Sequence, residues 1–214
     1  MSIPPHKIEV HHASKETARV EAFSDGVFAI AITLLVIELI QLIHVKEQEK
    51  LLPMLLHHWA SLFAFGLGFV TILICWINHH VAFDYIIKTN SKLMWVNAFV
   101  LLMVTFTPFA IAVLSQYFES ERNLAMALFG FNYLLMSLAA YLLCTYVYKR
   151  SLIDENNRKT FHRLVKLYEY SVYYTFLAFL VCFYSVPVAI TLYCLLFVVF
   201  AFPKASASKL IRGK

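Results

Sequence analysis

Six apolar runs, at about 22–43, 55–77, 93–114, 124–148, 167–184 and 186–202, follow one another with only short polar stretches between them. Most of them reach the roughly 20 residues that carry an α-helix across the ~30 Å hydrocarbon core of a bilayer. A helix suits that solvent because it satisfies its own backbone hydrogen bonds, whereas an open strand leaves donors and acceptors bare in lipid. Water is a poor alternative: 61% of the 214 residues are hydrophobic and only 14% are charged, against about 25% charged in soluble domains. The chain is therefore read as all-α, a polytopic membrane protein with six transmembrane helices. It forms one domain over residues 1–214, with spans at about 18–43, 54–86, 92–116, 122–148, 165–184 and 186–203.

Charge distribution orients these spans. Assigning Lys and Arg to alternate sides puts fifteen of the eighteen on one face, including Lys7, Arg19, Lys88, Lys92, Lys149, Arg150, Arg163 and Lys204, and leaves Lys46, Lys50 and Arg122 opposite. The positive-inside rule then places both termini in the cytoplasm, in a cell (plasma) membrane protein. The same topology accounts for the net charge of +5, so no nucleic-acid partner is inferred. The basic stretch Lys149–Lys166 is read as an orienting loop rather than a site for anionic lipid. The segment up to Thr17 is polar and basic, but the run after it is too long for a signal peptide and lacks a small-x-small cleavage site, so it is read as retained.

Other features serve packing. Cys75, Cys144, Cys182 and Cys194 lie inside apolar runs without metal-ligand spacing and are read as small core residues. Beyond its apolar run, span two should stay helical through Asn78, His79 and His80 towards Asp84, since neither Gly nor Pro interrupts that continuation. Pro108 should bend span three. No three-plus-three repeat suggests an inverted-repeat transporter.

The chemistry gathers at the start of span one, Arg19-Val20-Glu21-Ala22-Phe23-Ser24-Asp25. Ionisable groups where a helix enters lipid need partners on other helices. Trp76, Asn78, His79 and His80 at the cytoplasmic end of span two, and Asn97 at that of span three, lie at a similar depth. A polar cluster joining the three spans would hold span one in a fixed rotation. Further along, Ile30, Leu34, Ile37 and Gln41 share one apolar stripe with Thr33 at its edge. Taken alone, such a stripe is ordinary core or lipid-facing surface.

The string RVEAFSDGVFAIAITLLVIEL resembles the first-helix signature of the transmembrane protein 175 family, lysosomal-type potassium channels with prokaryotic homologues. Arg19, Phe23, Ser24 and Asp25 complete its motif, and Trp76, the Asn78–His80 run, Asn97 and Pro108-Phe109 resemble the family more loosely. The resemblance implies a moderately potassium-selective channel with no TVGYG filter, a segment absent from this sequence. One six-span repeat implies a homotetramer with first helices lining a central pore. It also implies a constriction and gate at Ile30, Leu34 and Ile37, with Thr33 serving selectivity. Ala29 stands where some members have a hydroxyl, which implies weaker K⁺ over Na⁺ discrimination. Glu38 and Gln41 fall at the pore mouth, where four carboxylates would concentrate cations unless Glu38 instead partners another helix. The implied partners are permeant K⁺ and the bilayer, and no cofactor or resident metal is implied.

Two other functions compete with a channel. A haem enzyme would need histidines on facing helices, but His57-His58 and His79-His80 all lie in span two, so the chain is not read as an enzyme. A proton-coupled cation transporter would use Asp25, His79 and His80, yet carriers favour midplane sites beside broken helices.

Overall fold

The computed structural model describes residues 5–44 and 50–201, with side chains at Glu16–Ile37, Leu39, Ile40 and Lys50–Ala201. Among the described residues seven α-helices follow one another: α1 Pro5–His44, α2 Leu51–His57, α3 Trp59–Phe83, α4 Ser91–Tyr117, α5 Arg122–Lys149, α6 Arg158–Cys182 and α7 Val186–Ala201. Among the described residues, four segments are long and apolar enough to cross a membrane on length and composition: Glu16–Ile37 of α1, and α3, α4 and α5. α6 opens with Arg158, Lys159, Arg163 and Lys166, and α7 has 16 residues.

Helix ends follow local chemistry. Asn90 accepts from the backbone N–H of Leu93 at 2.8 Å and so caps α4, supplying an acceptor to a first-turn donor that has no intrahelical partner. Tyr146 of α5 donates to the same oxygen at 2.9 Å, tying the cap to a neighbouring helix. The turn after α3 meets the turn after α5 through an isolated bridge between Ile86 and Ile153, with Ile87 N–H donating to the Leu152 carbonyl at 2.9 Å. Two interhelical connections are thereby fastened together at the end of the bundle where Lys88, Lys149 and Arg150 lie.

Two expectations need correction. The second apolar stretch is not one helix, because α2 and α3 break at His58, where φ is −98° and ψ 27°. The Ser61 and Leu62 N–H groups share the His58 carbonyl at 3.1 and 3.3 Å, a tightened turn at a His57-His58 pair of modest helix propensity. The cysteines also differ from a uniform core set: Cys144 and Cys182 are buried, Cys75 is half-buried and Cys194 is exposed on α7. By contrast, α3 does continue through His79 and His80 to Phe83, with Asp84 as its C-cap. Pro108 lies inside α4, which remains a single helix on both sides of it.

α1 packs on α3 and α4, while α5, α6 and α7 build the other side of the molecule. The contact is close at Gly68 of α3, where a Cβ would meet Ile111 Cγ1 at 2.7 Å and Leu35 Cδ2 at 3.1 Å. Only a hydrogen there lets Leu35 of α1 and Ile111 of α4 close over α3.

Candidate pore helix and its polar anchor

The two faces of α1 are sharply different. Thr17, Ser24, Phe28, Ala31 and Leu35, at helical spacing, are buried against α3 and α4. Ile30, Leu34 and Ile37 stand on another side and are 60%, 41% and 45% exposed, with Phe23 below them at 68%. Ala29 and Thr33 are exposed beside this stripe. The Thr33 hydroxyl donates to the Ile30 carbonyl at 2.8 Å, which commits its hydrogen and leaves its oxygen lone pairs facing outward. The side chains of Glu38 and Gln41 lie outside the described residues.

The buried face is held by polar contacts. Ser24 donates to the Val20 carbonyl at 2.9 Å and accepts from Asn97 Nδ2 at 2.9 Å, and Asn97 Oδ1 lies 2.8 Å from His79 Nε2. Three helices thus meet in one chain of hydrogen bonds. Phe28 closes one side of the His79 ring at 5.3 Å and Phe83 stacks on it at 4.4 Å, keeping water away from the chain and raising the cost of leaving any member unpaired.

Two further contacts join α1 to α3 nearer the polar surface. Trp76 Nε1–H donates to Asp25 Oδ1 at 2.8 Å. One turn away His80 Nδ1 lies 2.9 Å from Glu21 Oε1, and its Nε2 lies 3.9 Å from Asp84. The Trp76 and His80 rings stack at 6.0 Å. The contacts at Asp25 and Glu21 form rungs between antiparallel helices: four residues up α1 corresponds to four residues back along α3.

Six of the residues singled out in the sequence, Ser24, Asp25, Trp76, His79, His80 and Asn97, are brought together. Asn78 is not among them. It donates to the carbonyls of Ile74 and Phe200, both at 2.8 Å, and so ties α3 to α7. Arg19 and Phe23 are exposed and line, with Glu16 and Val20, a groove of about 460 Å³ against Met94, Ala98 and Leu101 of α4. Glu21 and Phe28 were missed as anchoring residues, although Glu21 lies one turn before Asp25 and Phe28 one turn after Ser24.

A family model described as endosomal/lysosomal potassium channel TMEM175 matches residues 19–108, the stretch from Arg19 to Pro108 that contains the Ser24–Asn97–His79 chain and the Asp25–Trp76 and Glu21–His80 contacts. The crystal structure of a lysosomal potassium-selective channel TMEM175 homolog from Chamaesiphon minutus superposes with a TM-score of 0.77 at 31% identity, covering 89% of this chain and 98% of that one. The chain belongs to the TMEM175 family. A potassium channel of Chamaesiphon minutus is 47% identical over 103 residues, 48% of this chain and 51% of its own. The chain thus spans about half the length of that curated relative. The endosomal/lysosomal proton channel TMEM175 of Gallus gallus is 33% identical over 117 residues, 51% of this chain and 23% of its own. These relatives are ion channels by name.

Proposed function

We propose that the chain is a potassium-selective channel that assembles as a homotetramer, with four copies of α1 around a central axis. In this reading the chain crosses the membrane six times, α2 and α3 forming one span and α6 and α7 the last two. Both termini and the basic Lys149–Lys166 stretch then face the cytoplasm of a plasma membrane. Relatives named as potassium channels support the permeant ion.

The observation that carries the proposal is the division of α1 into two faces. Its buried side is bonded to α3 and α4 through Ser24 and Asp25, so the helix cannot turn to bury Ile30, Leu34 and Ile37 within its own chain. Four copies of that stripe give stacked apolar rings. A ring too narrow for liquid water excludes ions by dewetting, and modest widening admits partly hydrated ions. Thr33, with its hydroxyl hydrogen committed to Ile30, offers oxygen lone pairs to a passing cation beside the first ring, whereas Ala29 offers none.

The test is K⁺ current from the purified protein in a planar bilayer, with a reversal potential that follows the K⁺ gradient. Ile30→Asn should raise the current and erode selectivity over Na⁺, because a wettable ring removes the dewetting barrier. Unchanged currents in that variant remove Ile30 from the pore. The vertebrate relative named a proton channel favours a second reading, in which protons permeate the same route. A reversal potential that follows pH and ignores K⁺ would select it. Transport coupled to a proton gradient without unitary currents would instead make the chain a carrier.

A further inference from the structure

A cavity of about 60 Å³ lies among α3, α4, α5, α6 and α7. Thr71, His79, Ser137, Tyr168 and Ser171 contribute polar groups to a lining that is otherwise mostly apolar. The hydrogen bonds around it determine what those groups can still do. Ser24 has one hydroxyl hydrogen, and a backbone carbonyl can only accept, so the bond to Val20 makes Ser24 an acceptor towards Asn97. Asn97 therefore presents its amide nitrogen to Ser24 and its oxygen to His79, and His79 must carry its proton on Nε2. Nδ1 is left as a bare lone pair. His79 is 4% exposed, and Nδ1 has no hydrogen-bond partner among the described residues.

The same accounting applies to the other oxygens. Thr71 donates its hydrogen to the Leu67 carbonyl at 2.7 Å. Ser171 donates to the Tyr168 carbonyl at 2.9 Å, so the 2.6 Å contact between Ser137 and Ser171 makes Ser137 the donor there. Thr71 and Ser137 therefore offer only lone pairs to the cavity. Tyr168 reaches Asn78 Oδ1 only at 3.5 Å, which leaves its hydroxyl available to an occupant. The Tyr133 and Tyr168 hydroxyls beside it can also donate, but Nδ1 of His79 can only accept, so its partner must be a donor. A cation is excluded by the missing counter-charge, since burying an unpaired charge is far costlier than burying a neutral polar molecule.

We infer that this cavity is a water-binding site in which one molecule donates to Nδ1 of His79 and to a lining hydroxyl. The volume exceeds the roughly 10–15 Å³ that one water needs on this measure, and buried waters usually make about three hydrogen bonds. The occupant completes a run of donors, all pointing the same way, that passes from the interior of the chain through His79, Asn97 and Ser24 to the Val20 carbonyl of α1. The site does not depend on what ion the protein conducts.

Solid-state NMR of protein labelled with ¹⁵N-histidine in lipid bilayers tests it, with the His79 signal assigned by its loss in His79→Gln. The expected result is a neutral ring protonated on Nε2, with magnetisation passing from water protons to Nδ1 of His79. Ala140→Leu places a larger side chain against the cavity and should abolish that transfer while leaving transfer to the more exposed His80 intact. A proton on Nδ1, or absence of transfer at His79 while His80 receives it, overturns the inference. So does transfer that persists in a folded Ala140→Leu. Should that variant not fold, the unsubstituted protein's spectrum decides alone.

Discussion

Replacing Asn97 with alanine tests the anchor at its centre. Asn97 is 2% exposed and links Ser24, 0% exposed, to His79, 4% exposed, through bonds of 2.9 and 2.8 Å. The substitution removes both bonds. Ser24 keeps its bond to the Val20 carbonyl, so it loses only an accepted hydrogen. The Nε2–H of His79 is orphaned between Phe28 and Phe83. Interhelical hydrogen bonds in membranes average about 0.6 kcal/mol and reach about 1.7, while an orphaned buried donor costs about 1–3 kcal/mol. The expected loss is about 1–3 kcal/mol. Ser24→Ala should fall at the low end of that range, about 1 kcal/mol, because only one bond of the chain is lost: Asn97 Nδ2 is orphaned while His79 keeps its acceptor. The double substitution should fall short of the sum by about 0.5 kcal/mol or more, since the residues share one bond. Reversible unfolding in mixed micelles, followed by tryptophan fluorescence, measures all three. Asn97→Ala within about 0.5 kcal/mol of the parent, the range of surface substitutions, would refute the claim that this chain of bonds holds α1.

Trp76→Phe removes the bond to Asp25 but leaves a half-buried carboxylate that water can reach, so in the same assay it should cost about 1 kcal/mol and less than Asn97→Ala. Gly68→Val sets a branched side chain where a Cβ alone meets Ile111 at 2.7 Å; it should destabilise by about 1–3 kcal/mol through overpacking, whereas Gly26→Ala, with nothing within 4 Å of the added carbon, should be neutral or slightly stabilising. Glu38→Gln should lower single-channel conductance at low salt and matter less at high salt, because steering by a ring of carboxylates is screened; unchanged conductance at low salt removes Glu38 from the mouth.

Much of the anchor was legible because polar groups in apolar helices must find partners at their own depth. That rule selects Ser24, Asp25, Trp76, His79, His80 and Asn97. Neighbours in sequence were less safe to group. Asn78 and His79 point about 100° apart on one helix, so they serve different partners, and Asn78 turns to Phe200. The contact between Glu21 and His80 follows from antiparallel register: if Asp25 meets Trp76, the residues one turn below meet as well. The break at His58 carries no Gly or Pro signal and was not readable. Cys194 illustrates a deeper limit, since an apolar helix uses the same residues for core and for lipid. Composition therefore does not say which face is buried.

That ambiguity is sharpest for Ile30, Leu34 and Ile37, and the anchor resolves part of it. With Ser24 and Asp25 bonded to Asn97 and Trp76, the azimuth of α1 within its chain is set from its polar end, and the stripe is turned outward before any second copy arrives. If four copies do enclose a pore, the rings are therefore positioned by contacts at the opposite end of the span, not by packing between isoleucines. Twisting α1 alone would strand a buried histidine and break two rungs, a cost of several bonds at once. Widening the pore is cheaper if α1 moves together with α3 and α4, so that the anchor travels intact and only contacts between copies change. In the proposed channel the polar motif would act as a clamp that makes three helices one moving body, and the apolar stripe it presents would be the gate.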